Sequence, residues 1–219
     1  MPQIFNRTIN AISRLTIFGG IFAVILVTWG WAEIITSRYF TEEKIPQEQP
    51  VPFSHRHHVA GLGIDCRYCH TTVEVGPFAG IPPTATCMNC HKQVWSSSDM
   101  LEPVRASLRE NRPIRWRRVN NLPDFVYFDH SIHVNKGVGC ETCHGRVDQM
   151  PLTWKEHSLY MSWCLDCHRS PEKYLRPRDQ VFTMGWKPPP DQERAGRQLM
   201  QEYHIEPTFK LTNCSICHR

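Results

Sequence analysis

No cysteine in this 219-residue sequence stands outside one repeated pentapeptide, no charge interrupts residues 15–32, and the excess of positive charge is only +4. Each shortage excludes something. A net charge this small does not by itself argue for a nucleic-acid partner, and none is expected. Charged residues make up 21% of the chain and aromatics 11%, so it lacks the composition of a disordered tail. Ten cysteines, twelve histidines, seventeen prolines and seven tryptophans are, in turn, foreign to a routine α/β enzyme.

The ten cysteines form five copies of Cys-x-x-Cys-His: Cys66-Arg67-Tyr68-Cys69-His70, Cys87-Met88-Asn89-Cys90-His91, Cys140-Glu141-Thr142-Cys143-His144, Cys164-Leu165-Asp166-Cys167-His168 and Cys214-Ser215-Ile216-Cys217-His218. A disulfide framework would explain an even cysteine count but not a histidine after every second cysteine. Zinc sites need four ligands, and five pairs do not divide evenly into them. The spacing is that of c-type haem attachment, with two thiols for the two vinyl groups and the adjacent histidine reaching the iron. Five covalently bound haem c groups are expected.

From Cys66 to His218 that is one haem per roughly thirty residues, too little chain to enclose each in a polypeptide core. The expected fold is therefore a mostly irregular and α-helical multihaem cytochrome c, class III-like, with a haem-packed core, little β structure and one amino-terminal transmembrane helix. Proline-rich pieces such as Ile81-Pro82-Pro83 and Lys187-Pro188-Pro189-Pro190 agree with sparse regular structure.

The uncharged run Leu15–Ala32, extended by Ile34 and Ile35, is long enough to span about 30 Å as a helix. Arg7 and Arg14 before it, and Trp29 and Trp31 near its far end, predict a cytoplasmic amino terminus and a periplasmic remainder. A cleaved secretory leader is the competing reading, with Gly30-Trp31-Ala32 as a passable site. The reading adopted is a single-pass anchor in the cytoplasmic membrane, residues 1–40, with its helix at about 15–35. Residues 41–52 read as a polar extended linker.

Beyond it lies a near-repeat. Phe53-Ser54-His55-Arg56-His57-His58-Val59 precedes Cys66, and Phe128-Asp129-His130-Ser131-Ile132-His133-Val134 precedes Cys140, each followed by a second motif. The phenylalanine-to-cysteine interval is thirteen positions in the first copy and twelve in the second. Residues 53–127 are thus a first di-haem unit with its join, and 128–219 a second di-haem unit plus a fifth haem. The Phe-x-His-x-x-His element resembles that of the small class III cytochromes. The resemblance implies that the first histidine is the sixth ligand of the haem just downstream and that the second reaches a different haem. Carried over, His55 serves the Cys66–Cys69 haem and His130 the Cys140–Cys143 haem, while His58 and His133 ligate neighbours. The five motif histidines are proximal ligands. The tenth ligand is open between His204, His157 and a methionine, Met161 or Met184.

The basic stretch Arg112–Arg118 reads as internal compensation, because five haems bring roughly ten propionates that arginines pair with.

Met161-Ser162-Trp163-Cys164-Leu165-Asp166-Cys167-His168-Arg169, the segment Gly80–His91, the five motifs and the anchor together resemble the pentahaem cytochrome subunit of bacterial alternative complex III. In that family quinol, usually menaquinol, is oxidised at a polytopic membrane subunit. Electrons then pass through an iron–sulfur subunit related to molybdopterin oxidoreductases, and through haems, to a periplasmic cytochrome or copper protein. The resemblance implies a relay subunit with those partners, in contact with the lipid bilayer. A NapC/NrfH-type quinol dehydrogenase feeding a periplasmic reductase is the alternative. No independent catalytic site is expected, since all five motifs end in histidine.

Overall fold

The computed structural model describes residues 5–218, so the first four residues of the expected anchor, and Arg219, lie outside it. The described residues fall into two compact units divided between Glu43 and Lys44.

The first unit is α1, Arg7–Thr36, followed by the short α2, Arg38–Thr41. The helix begins earlier than the uncharged run because nothing in Asn10, Ser13 or Arg14 breaks it. Its stretch Thr8–Thr36 is long and apolar enough to cross a membrane, and none of its most apolar window is buried by protein. Threonine hydroxyls along it donate to their own helix, Thr28 Oγ1 to Val24 O at 2.9 Å and Thr36 Oγ1 to Ala32 O at 2.8 Å. That leaves few polar groups unsatisfied in an apolar surround.

The second unit is short helices joined by irregular chain. They are α3 (Cys66–Cys69), α4 (Thr84–His91), α5 (Glu102–Glu110), α6 (His130–Asn135), α7 (Cys140–His144), α8 (Met161–Arg169), α9 (Gln192–Glu202), α10 (Thr208–Leu211) and α11 (Cys214–Cys217). Among the described residues β structure amounts to an isolated bridge between Val138 and Leu175. This is the mostly helical and irregular class expected.

Two small apolar clusters stand where a domain this size would ordinarily have one large core. Val51, Leu101 and Val104 gather Cys87, Met88, Ile114 and Trp116; Val73, Val134 and Val181 gather Ala79, Cys140 and Phe182. Each cluster thus includes the first cysteine of a Cys-x-x-Cys-His motif at its margin. The expected linker is extended but not free. Lys44 N donates to Lys155 O at 2.7 Å, Gln47 N to Thr153 O at 3.1 Å, and Val51 is buried in the first cluster. Gln49 brackets the main chain of Arg117, donating to its carbonyl at 2.9 Å and accepting from its N–H at 2.8 Å. Polarity marked the segment as surface chain; its amides nevertheless find partners on 153–155.

A buried ion pair braces α7. Arg176, 4% exposed, meets Glu141 at 3.1 Å and lies 4.6 Å from the centre of the Trp186 ring. Its guanidinium presses on Gly139, where a Cβ would come within 2.2 Å of Arg176 Cζ. Only glycine leaves that room.

Candidate haem sites

Each Cys-x-x-Cys-His segment folds as about one helical turn. Positions i, i+3 and i+4 of a helix share a face, so both thiols and the imidazole project together. Asp65 and Asn213 cap two of these turns, accepting from Arg67 N at 2.8 Å and Ser215 N at 3.0 Å. The ten thiols form no disulfides. Burial pushes Cys140 and Cys143 up to about 12, so as free thiols they would remain protonated.

The imidazoles share one arrangement. Seven histidines place Nδ1 on a main-chain carbonyl, which can only accept, so Nδ1 carries the proton and Nε2 keeps its lone pair for a metal. They are His58 to Ser54 (2.8 Å), His70 to Gly80 (2.7 Å), His91 to Val94 (3.0 Å), His130 to Pro77 (2.7 Å), His133 to Asp129 (2.7 Å), His168 to Leu211 (2.9 Å) and His218 to Phe125 (3.1 Å). Two more meet side chains: His55 Nδ1 lies 3.0 Å from Thr153 Oγ1, and His144 Nδ1 lies 3.0 Å from the Asn120 amide. Burial, then His70 and His58, holds His55 down at about 4, and burial, then His130, does the same to His144. Both rings are neutral at physiological pH, as ligation requires.

The rings also pair. Two imidazoles that would hold one metal ion between them, at bonds of about 2 Å, would have ring centres roughly 6 Å apart. His130 faces His144 at 6.2 Å and 3°, His133 faces His168 at 6.2 Å and 28°, and His58 faces His91 at 6.2 Å and 58°. His55 and His70 are electrostatic neighbours. The residues present therefore fit c-type haem held between two histidines at three of these pairs.

The two repeat copies are built alike. Phe53 lies edge-on to His55 (4.9 Å, 87°) and stacks on His58 (4.4 Å, 26°); Phe128 lies edge-on to His130 (4.7 Å, 88°) and stacks on His133 (4.5 Å, 27°). One aromatic ring thus spaces two imidazoles that face different sites. The copies differ where the interval differs: the first runs through a π-helical turn, Arg56–Gly61, and the second through α6. A π turn accommodates one extra residue in an otherwise helical segment, which accounts for thirteen positions against twelve. Deleting Ala60 is expected to turn this segment α-helical and to keep every haem low-spin; a new high-spin haem in the optical or EPR spectrum of the variant would refute that account.

The candidates for the tenth ligand differ from the nine tied histidines. Among the described residues no histidine ring packs on His218, whose ring neighbour is Phe125 at 5.8 Å. His204 is exposed and left-handed (φ 49°), His157 stacks on Trp163 at 5.0 Å, and Met161 is 63% exposed at the start of α8. His57 is exposed, as a residue between two ligands on one turn would be. Sequence reading missed Thr153, Asn120 and the carbonyl acceptors. A carbonyl carries no signal, because every residue has one.

Adjacent motifs touch. Asn89 donates to Tyr68 OH at 3.0 Å, linking the second motif to the first. His130 N and Nδ1 both donate to Pro77 O, seven residues after His70, and His130 and His133 share α6. The bond from His168 to Leu211 ties the fourth motif to the chain entering the fifth. Burial followed by a neighbouring cysteine raises the thiols in the same order, Cys69 by Cys87, Cys140 by Cys66, Cys143 by Cys167 and Cys164 by Cys217.

Residues 132–219, which hold the last three motifs, match the family described as cytochrome c3. Over 209 residues the chain is 28% identical to the menaquinone reductase multiheme cytochrome c subunit of Nitratidesulfovibrio vulgaris, covering 92% of this chain and 87% of that protein. The last three motifs thus lie in a segment similar to cytochrome c3, and most of the chain is similar to a multiheme cytochrome c subunit.

Proposed function

We propose that this chain is a membrane-anchored relay of five haem sites, carrying electrons between a quinone-reactive membrane subunit and a periplasmic electron carrier. The unbroken succession of contacts between motifs carries the reading: second, first, third, fourth, fifth. A relay needs each site close to the next, and His55 with His58, like His130 with His133, serves two consecutive sites from a single turn. Haem, when bound, supplies one-electron exchange between ferric and ferrous iron. The proposed axial pairs are His70 with His55, His91 with His58, His144 with His130, and His168 with His133. His218 is the fifth proximal ligand, with His204 opposite it and His157 or Met161 as alternatives. Seven side chains hold their Nε2 atoms ready through main-chain acceptors at Nδ1.

Retention of α1 as a single-pass anchor, with its amino terminus cytoplasmic, puts the second unit on the periplasmic side. The finer assignment is to a complex of the alternative complex III type, with a polytopic quinol-oxidising subunit and an iron–sulfur subunit as partners. The relative's printed function favours a second reading of direction, in which electrons travel towards quinone. A relay without its own quinone site is not reduced by menaquinol when purified alone, and is reduced rapidly once co-purified membrane partners are restored. Fast reduction of the isolated chain would instead support the NapC/NrfH-type reading. The sense of flow follows from which added donor, menaquinol or a reduced periplasmic carrier, reduces the assembled complex.

A further inference from the structure

Four of the five proximal histidines rest on main-chain carbonyls; His144 alone rests on a side chain. The atom 3.0 Å from His144 Nδ1 is the amide nitrogen of Asn120, while Asn120 Oδ1 is buried without a partner. An amide nitrogen can only donate, so in that orientation Nδ1 is the acceptor and the ring proton sits on Nε2, the atom that must bind iron. Turning the amide about its last bond lets Oδ1 accept from Nδ1–H and frees Nε2, with the amide nitrogen taking the buried position that Oδ1 leaves.

We propose that Asn120 is a positioning residue for the third haem site, accepting a hydrogen bond from His144 Nδ1–H through Oδ1 and thereby setting the orientation and donor strength of that imidazole. The proposal rests on the axial reading of His144 given above. A side-chain acceptor is exchangeable where a carbonyl is not, so this is the proximal ligand whose basicity one substitution can alter in either direction. A carboxylate pulls harder on the Nδ1 proton, makes the ring a stronger donor and stabilises ferric iron. An apolar residue withdraws the acceptor and does the reverse.

The test is potentiometric titration of the full-length holoprotein carrying Asn120→Asp or Asn120→Leu, with EPR of the oxidised forms. The expected result is one midpoint shifted down in N120D and one shifted up in N120L, the other four unmoved and every haem low-spin. The leucine variant changes no charge, so its shift is not a Coulomb effect of an added carboxylate. If N120L fails to assemble, N120D must still shift a single midpoint downward and move the EPR signal of one haem. Unmoved midpoints in variants with five low-spin haems, or shifts of the same sign in both, would overturn the role of Asn120 while leaving the ligand assignment intact. A His144→Ala variant that keeps its full complement of low-spin haems would remove the ligand assignment itself, and this proposal with it.

Discussion

His133→Ala is expected to convert one haem, that of Cys164–Cys167–His168, from low-spin to high-spin and to open it to carbon monoxide, while His57→Ala changes neither property. The two histidines lie in equivalent Phe-x-His-x-x-His neighbourhoods, yet their surroundings are opposite. His133 stacks on Phe128, donates Nδ1–H to Asp129 O at 2.7 Å and faces His168 at 6.2 Å. Burial holds its pKa below the ordinary value, against the raising effect of the Asp129 bond. His57 is exposed and its ring makes no such bond among the described residues. Removing the sixth ligand leaves iron with an open position. The effect should be confined to one haem in five, because His130 remains held by Pro77 O on the preceding turn. Optical spectra with and without carbon monoxide measure it. A high-spin signal in the His57 variant and none in the His133 variant would mean that the repeat has been read in the wrong register.

Produced in a host that cannot attach haem, the chain from Lys44 onward is expected to stay unfolded, with near-complete loss of near-ultraviolet circular dichroism and rapid digestion by trypsin. Among the described residues the buried hydrophobic ones are Val51, Val73, Leu101, Val104, Val134, Met150, Leu175, Val181 and Tyr203, six of them divided between two small clusters. Burial of apolar surface is the main force opposing the conformational entropy of an ordered chain. Nine such residues are few for the length of chain that must be ordered. The short helices help little, since an isolated four- or five-residue helix is unstable in water. A protease-resistant, haem-free protein with native dichroism would show that polypeptide fills its own interior and would undo the relay reading.

Much of this site could be read before any coordinates. The five Cys-x-x-Cys-His motifs are legible because thioether chemistry would demand two thiols and an imidazole within one helical turn, which keeps the demand local in sequence. His55, His58, His130 and His133, the proposed ligands, stand out for a related reason: the Phe-x-His-x-x-His pattern occurs twice. The role of Phe53 and Phe128 as spacers between those rings was not legible, since an aromatic before a histidine has many uses. Nor was the reason for the unequal intervals, which lies in the hydrogen-bonding of Arg56–Gly61 rather than in its side chains.

The sequence by itself determined the chemistry of attachment, the scarcity of β structure and the presence of a helix apolar enough to cross a bilayer, because each depends on residues close together in the chain. Tertiary structure decided which imidazole faces which, through contacts spanning 14 residues from His130 to His144 and 35 from His133 to His168. It also decided what holds each ring: the Gly80, Pro77 and Leu211 carbonyls, Thr153 and Asn120 are brought to Nδ1 by folding alone. A carbonyl is common to every residue, and one asparagine looks like any other until the chain has placed it against a histidine.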